Sequence, residues 1–307
     1  MTARQVICAG DLCCDLIVPY GKMQDALTCG NISKEVTDRL QVGMQCGGSV
    51  GNVARHLGQL GAHPVFITPL KRDRLGEYLA DKMEKRGVDM RWAAPSEKSN
   101  MYCVAVLDRS GERTMFCFVP PWADFPRFNA ASFKTVPAFD REILFTSGMA
   151  ILDDAENNAA LLEFFRRRKA AGSSIVFDLN VRAESYGLEG ERKRAMDEMI
   201  TLCDILLGSG REEFSQVTGC ACIPEAAKDL LSRGAGTVVA RDGADPILVL
   251  GRGSEQIIPV KPVTPVSTLG AGDSFDAMFL NAIASGDDIA AAVRKASDYA
   301  GEYISLK

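Results

Sequence analysis

The sequence predicts an open, doubly wound α/β fold, a mostly parallel sheet with helices on both faces. Three observations predict it. Short apolar runs alternate with stretches of helical periodicity along most of the chain. The runs are rich in Val, Ile and Phe, as in parallel strands covered on both faces. No repeat, low-complexity tract or Pro/Ser-rich linker divides the 307 residues, so one domain over residues 1–307 is expected. The expected strands, in chain order, are Val6–Ala9, Val65–Thr68, Ile143–Thr146, Ser174–Asp178, Asp204–Leu207 and Thr237–Ala240. The expected helices are Asn52–Leu60, Leu75–Arg86, Ala155–Ala171, Arg192–Leu202, Glu225–Arg233, Ser274–Ser285 and Asp287–Ile304.

One region breaks the alternation. Met101–Asp108 and Glu112–Phe118 read as strands separated by Arg109-Ser110-Gly111, which is hairpin chemistry. Residues Asp11–Gly43 show no clear helix. About 11–43 and 101–118 are therefore expected to form a small antiparallel flap over one sheet edge, although a peripheral hairpin would look the same.

Composition narrows the function classes. A net charge of −5 implies no broad basic surface, which argues against a nucleic-acid partner. The densest basic run, Arg166–Lys169, ends a predicted helix, where cations complement the dipole. No apolar stretch reaches the ~20 residues of a membrane span. Ten cysteines are scattered without zinc-type CxxC pairs, and Cys8, Cys103, Cys117 and Cys203 lie inside apolar runs. A reduced, cytoplasmic protein is expected.

The most informative stretch is Val266–Phe275. Gly270-Ala271-Gly272 lets backbone amides approach an anion, and Asp273-Ser274 opens an apolar-periodic helix. A glycine turn feeding a helix N-terminus suits phosphate. A carboxylate added to such a site can accept a proton from an attacking hydroxyl. From local chemistry alone, Asp273 is equally a helix N-cap. Upstream, Gly47-Gly48-Ser49-Val50-Gly51-Asn52 leads into another helix, with Asn52 able to donate to and accept from a polyol. Gly47-x-Ser49-x-Gly51 also fits a hydrolase nucleophile elbow. That alternative fails, because residues 41–46 make a poor strand and the only histidines, His56 and His63, follow directly.

These segments resemble the two signatures of the ribokinase-like (PfkB) sugar and nucleoside kinases: Gly-Gly-x-x-x-Asn-x-Ala at Gly47–Ala54, and Gly-Ala-Gly-Asp-x-Phe at Gly270–Phe275. The resemblance spans nearly the whole chain. It implies a ribokinase-like fold whose β-lid closes over the substrate and can form a homodimer. It implies transfer of the γ-phosphoryl of ATP, with Mg²⁺, to a hydroxyl of a sugar, sugar acid or related polyol. Asp273 would be the general base, and the amides of Gly270, Ala271 and Gly272 the anion hole. Asp15, Gly47, Gly48 and Asn52 would hold the acceptor, and Met101, Cys103 and Phe116 would be lid contacts. Arg182, in the Asp178-x-Asn180-x-Arg182 element, would meet a phosphate or an acidic substrate group.

On the nucleotide side the resemblance implies Arg241, Gly243 and Thr268, with Glu213 organising magnesium through water. Three departures stand out. Gly210 replaces the Asn expected three residues before Glu213. Ser267 replaces an Asp that commonly helps hold a monovalent cation, which leaves potassium dependence open. Met278 stands where a small residue is usual. A nucleoside kinase, and a ligand-binding relative without transferase activity, are the alternatives.

Overall fold

A computed structural model describes residues 3–28, 40–109, 113–118 and 126–306. The expected apolar runs form strands β1 (Val6–Ala9), β4 (Val65–Ile67), β9 (Ile143–Ser147), β10 (Ser174–Asp178), β11 (Ile205–Ser209) and β12 (Thr237–Arg241). All pair in parallel, because helices return the chain to the same edge each time. Successive β1 side chains enter opposite layers. Val6 and Cys8 pack with helices Ser49–Gln59, Arg74–Glu84, Ala271–Ser285 and Ile289–Ser305. Ile7 and Ala9 pack with helices Ala155–Ala170, Gly190–Leu202, Arg211–Thr218 and Ile223–Ser232. Both faces are covered, as the unalternating runs require.

Two strands not anticipated from sequence extend this sheet. β13 (Ile247–Gly251) and β14 (Ser254–Ile258) add antiparallel, giving the order β14-β13-β12-β11-β10-β9-β1-β4. β14 is exposed at four of its five residues and closes the edge with Glu and Gln.

The lid region differs from expectation in three ways. β2 (Cys13–Val18), β3 (Gly43–Gly47), β7 (Met101–Leu107) and β8 (Arg113–Phe118) form one sheet, ordered β3-β2-β7-β8. β2 pairs with β7 in parallel, so the sheet is mixed rather than antiparallel. Residues Tyr20–Thr28 form a helix where none was expected; Lys, Met, Gln and Ala outweigh the early Gly21. Residues 43–47 are a strand despite their glycines, because β2 supplies the whole ladder from Cys13↔Gly47 to Ile17↔Gly43. The hairpin turn at Ser110-Gly111, residues 29–39 and the Phe116 and Cys117 side chains lie outside the described residues. A short pair, β5 (Pro69–Leu70) with β6 (Ala94–Pro95), completes the strands described. Cys8, Cys103 and Cys203 are buried thiols, and burial pushes Cys203 up to about 12. Arg168 in the basic run is not solvated: it pairs with buried Glu142 and donates to the Val136 and Pro137 carbonyls. Among the described residues no helix is long and apolar enough to cross a membrane.

Candidate active site

The site lies at the carboxyl ends of the parallel strands, where open α/β sheets bind ligands. Three residues join β1 to β2, and Asp11 is the middle one. Its carboxylate accepts the Ser49 amide at 2.7 Å and the Val50 amide at 3.1 Å, capping the helix Ser49–Gln59 from a distant segment. This explains why that helix starts at Ser49, three residues earlier than its apolar periodicity suggests. Gly48 has φ 92°, and a Cβ there would stand 2.7 Å from the Asp11 carbonyl oxygen. At Gly47 a Cβ would overlap the Asp15 carboxylate, at 2.2 Å from Oδ1. The packing of Asp11 and Asp15 therefore accounts for both glycines.

The helix Ala271–Ser285 begins one turn before the periodicity indicates. Gly270 is its N-cap, in the left-handed region at φ 76°. Asp273 is thus the third helical residue and not the cap. Its side chain reaches across to the other helix instead: Oδ2 accepts from Asn52 Nδ2 at 2.9 Å, and Oδ1 from Ser49 Oγ at 3.4 Å. Asn180 Nδ2 donates to Ser49 Oγ at 2.7 Å, and Arg182 Nε to Asn180 Oδ1 at 3.0 Å. Arg55 donates to Asn52 Oδ1 at 3.1 Å. Asn180 and Arg182 both sit at positive φ, 31° and 48°, a strained conformation of the kind that gathers at functional sites. Burial pushes the Asp273 carboxyl up to about 7; the Asn52 hydrogen bond pulls it down, and Asp276 and Asp11 push it further up.

Beneath this turn lies a buried charge cluster that sequence reasoning placed differently. Arg241, expected to face nucleotide, ends β12 in the interior. Its guanidinium donates to Asp276 Oδ1 at 2.9 Å, Asp178 Oδ1 at 3.3 Å and the Gly208 carbonyl at 3.2 Å, and lies 4.4 Å from the Phe275 ring centroid. Burial opposes its charge, but Asp276 and Asp178 hold it protonated. Asp178 is raised well above the ordinary carboxyl range by burial and by Asp276. Glu213 accepts the Ser209 amide at 2.7 Å and the Val181 amide at 3.1 Å, tying β11 to the loop after β10. Burial raises it, against those two amides. Gly210, at φ 91°, takes a backbone conformation that favours glycine and is the N-cap of the helix that carries Glu213.

Gly243, in the turn after β12, and exposed Thr268, whose carbonyl accepts the Ala271 amide at 3.2 Å, flank the same end of the sheet. The Gly272 and Asp273 amides, in the first helical turn, have no intrahelical acceptor. Gly272 has ordinary φ, and no protein atom lies within 4 Å of where its Cβ would stand. Nothing in the protein itself requires glycine there. Asp15 lies in β2, 9% exposed, with Cys13 Sγ donating to its Oδ1 at 3.2 Å. Asp11 is within electrostatic reach of both Asp15 and Asp273.

Sequence reasoning missed Asp11, Ser49 as a donor to Asp273, and Asp276, and it gave Asp178 and Asn180 only as members of the Asp178-x-Asn180-x-Arg182 element, without these partners. Asp276 left one signal, a second carboxylate three residues after Asp273 in an otherwise apolar helix. The hydrolase alternative fails for a corrected reason. A strand, β3, does precede Ser49, but the Ser49 hydroxyl serves Asp273, and His56 packs against Tyr299, 3.3 Å from its hydroxyl.

A turn with free amides beside a half-buried carboxylate held in hydrogen bonds is an arrangement suited to phosphoryl transfer to a hydroxyl. A model of the pfkB family of carbohydrate kinases matches residues 3–306, and the chain belongs to that family; it is a sugar kinase acting on an alcohol group. Aminoimidazole riboside kinase of Salmonella typhimurium is 29% identical over 230 residues, covering 75% of this chain and 70% of that protein. A 5-dehydro-2-deoxygluconokinase of Clostridium perfringens is 26% identical over 281 residues, 89% and 82% of the two chains. The crystal structure of fructokinase from Vibrio cholerae O395 with fructose, ADP and calcium superposes with TM-score 0.80 at 24% identity, covering 99% of this chain and 94% of that one. It shows the ribokinase-like fold.

Proposed function

We propose that the protein transfers the γ-phosphoryl group of ATP to a hydroxyl of a sugar, sugar acid or related polyol. The observation that carries the proposal is Asp273: a half-buried carboxyl pushed up to about 7, held by Asn52 and Ser49 beside the free amides of Gly272 and its own residue. A base poised near the working pH takes a hydroxyl proton with least penalty. In the proposed reaction the acceptor O–H proton passes to Asp273, the oxygen bonds to the γ-phosphorus, and the bond from that phosphorus to the bridging oxygen breaks, releasing ADP. The amides of Gly270 and Gly272 receive the transferred oxygens; the Ala271 amide, implied with them by the resemblance, is held by the Thr268 carbonyl at 3.2 Å. Relatives named for a riboside, for fructose and for a deoxygluconate support an acceptor of this class.

Asp15, Gly47, Gly48, Asn52 and Arg182 form the acceptor side of the proposal, and Glu213, Gly243 and Thr268 the nucleotide side. Arg241 acts there from below, as a positioning residue. Asp178, Asp276, Asp273 and Glu213 bring four carboxylates within electrostatic reach against one buried arginine, a hard-oxygen, electron-rich setting that suits magnesium. No three of the acidic, His or Cys side chains converge to hold an ion directly among the described residues, so Glu213 would hold it through water. Bound magnesium neutralises phosphate charge. A single 1–307 domain with a lid, a homodimer through the lid sheet and a cytoplasmic location complete the proposal.

ADP release measured across a panel of sugars, sugar acids and nucleosides, with product detected by mass, tests it. ADP formation without any phosphorylated acceptor would defeat it. The pH profile adds a second check. Asp273 acts as base only when ionised, so kcat/KM should rise about tenfold per pH unit up to about 7 and then level. Asn52→Leu removes the hydrogen bond that favours the ionised form, and the acid limb should move upward by about 1–2 pH units. An unmoved limb would show that a different group titrates. Gly272→Ala should melt at or slightly above the wild-type temperature, since alanine favours a helix by about 0.5–1 kcal/mol. Its kcat should nevertheless collapse, because the added methyl fills the space left for phosphate.

A further inference from the structure

Arg55 follows Asn52 by three residues on the helix Ser49–Gln59, so the two side chains are neighbours on one face. Its guanidinium is half-buried, within electrostatic reach of Cys46 in β3 and of Tyr299 in the helix Ile289–Ser305. Burial pushes the Cys46 thiol up to about 11 and raises the Tyr299 hydroxyl, so neither offers Arg55 a negative charge. Among the described residues no carboxylate pairs with it, and its only hydrogen bond runs from Nη2 to Asn52 Oδ1 at 3.1 Å. Its Nε is buried and unspent. A half-buried cation with one hydrogen bond and a stranded donor is a poor stabiliser of the fold.

What Arg55 adds is direction. An asparagine side chain carries an oxygen on one arm and an NH2 on the other, and a half-turn exchanges them. A guanidinium only donates. The arm facing Arg55 must therefore be the oxygen, which leaves the nitrogen facing Asp273, 2.9 Å from Oδ2. A donor at that place favours the ionised carboxylate. A flipped Asn52 would present its oxygen there, and that oxygen can bond only a protonated Asp273. The other carboxylate oxygen is served in the same sense: Arg182 donates to Asn180, Asn180 to Ser49 Oγ, and Ser49 to Oδ1. Each chain starts at an arginine and runs one way to the base.

We infer that Arg55 is a positioning residue for the transfer: it makes no bond to Asp273, and it fixes the Asn52 amide so that Asp273 always meets a donor. The inference deepens the kinase reading above and rests on it for the role of Asp273 as base. The charged groups that face Asp273 are Asp276 on its own helix, Asp11 from the β1–β2 link, and Asp178 and Arg182 from β10 and the loop after it. A substitution at Arg55 leaves all four in place.

The dependence of kcat/KM on pH in single and double variants tests this. Arg55→Met frees the amide to follow the protonation of Asp273. The acid limb should move up by about one pH unit, so that kcat/KM at pH 6 falls about tenfold. On the alkaline plateau kcat should stay within about twofold of wild type, with KM for ATP unchanged. Arg55→Gln can present either a donor or an acceptor; it should shift the limb likewise, and it serves where Arg55→Met folds poorly. Arg55→Lys, a donor without an acceptor, should keep the wild-type limb. In the Asn52→Leu background, which has no amide to orient, Arg55→Met should move the limb no further. An equal shift in both backgrounds would reveal a bare charge effect and overturn the inference. So would an unmoved limb in Arg55→Met and Arg55→Gln, or a lysine variant that shifts as far as the methionine one. NMR of the Asp273 carboxyl carbon, assigned by its loss in Asp273→Asn, makes the same comparison without turnover. Failure of the kinase reading shows separately, as wild-type protein that phosphorylates no acceptor while this carboxyl still shifts in Arg55→Met.

Discussion

Asp273→Asn is expected to lower kcat by about 10²–10⁴-fold while changing KM for ATP and acceptor little. The substituted amide keeps the shape of the side chain and an oxygen for the Asn52 amide, so what is lost is the proton acceptor. The same variant should not be less stable. The wild-type carboxyl titrates near 7 in the folded protein against an ordinary 3.8. A carboxyl raised by folding favours the folded state fully below about 3.8, and that advantage is lost as pH rises through about 7. At pH 8 the wild type therefore carries the whole cost of a buried charge, and the Asp273→Asn variant does not. Melting temperatures should favour the variant at pH 8, with the gap closing toward pH 4. A variant that loses activity and melts lower at pH 8 would point to a structural role for the carboxylate.

The second large effect concerns folding. Arg241→Met should destabilise the protein by about 3–5 kcal/mol, because Asp178 and Asp276 would be left buried without their shared cation. Chemical denaturation measures this. Adding Asp178→Asn and Asp276→Asn to Arg241→Met removes the stranded charges and should recover most of the loss. If the triple variant stays as weak as the single one, the packing of the guanidinium on Phe275 is what matters. The cluster also sets the potential under Asp273, since Asp276 helps raise it. The triple variant, even if stable, should show a kinetic acid limb shifted below that of the wild type.

The parallel sheet was legible because burial on both faces writes a continuous apolar run, as in Val6–Ala9 or Ile175–Phe177. β3 was not, since Gly43-Met44-Gln45-Cys46-Gly47 is a strand only through its ladder with β2. The Gly270–Asp273 turn was legible as local chemistry, but whether Asp273 caps its own helix or serves a site depends on Asn52 and Ser49, more than 220 residues away. Asn180 was visible only as part of a motif; its bond to Ser49 spans 131 residues. Arg241 was legible only through the resemblance, which implies a nucleotide contact; its partners Asp178 and Asp276 come from two other elements and hold it inside.

Three residues, Gly10 to Leu12, join the eight-stranded sheet to the lid sheet, and the middle one caps the helix that carries Ser49 and Asn52. Lid and chemistry are therefore coupled through this tripeptide. A lid transplanted from a relative to change specificity would have to be spliced outside this tripeptide, with Asp11 retained. An insertion of even one residue there would leave both sheets intact on paper while detaching the acceptor side from its base.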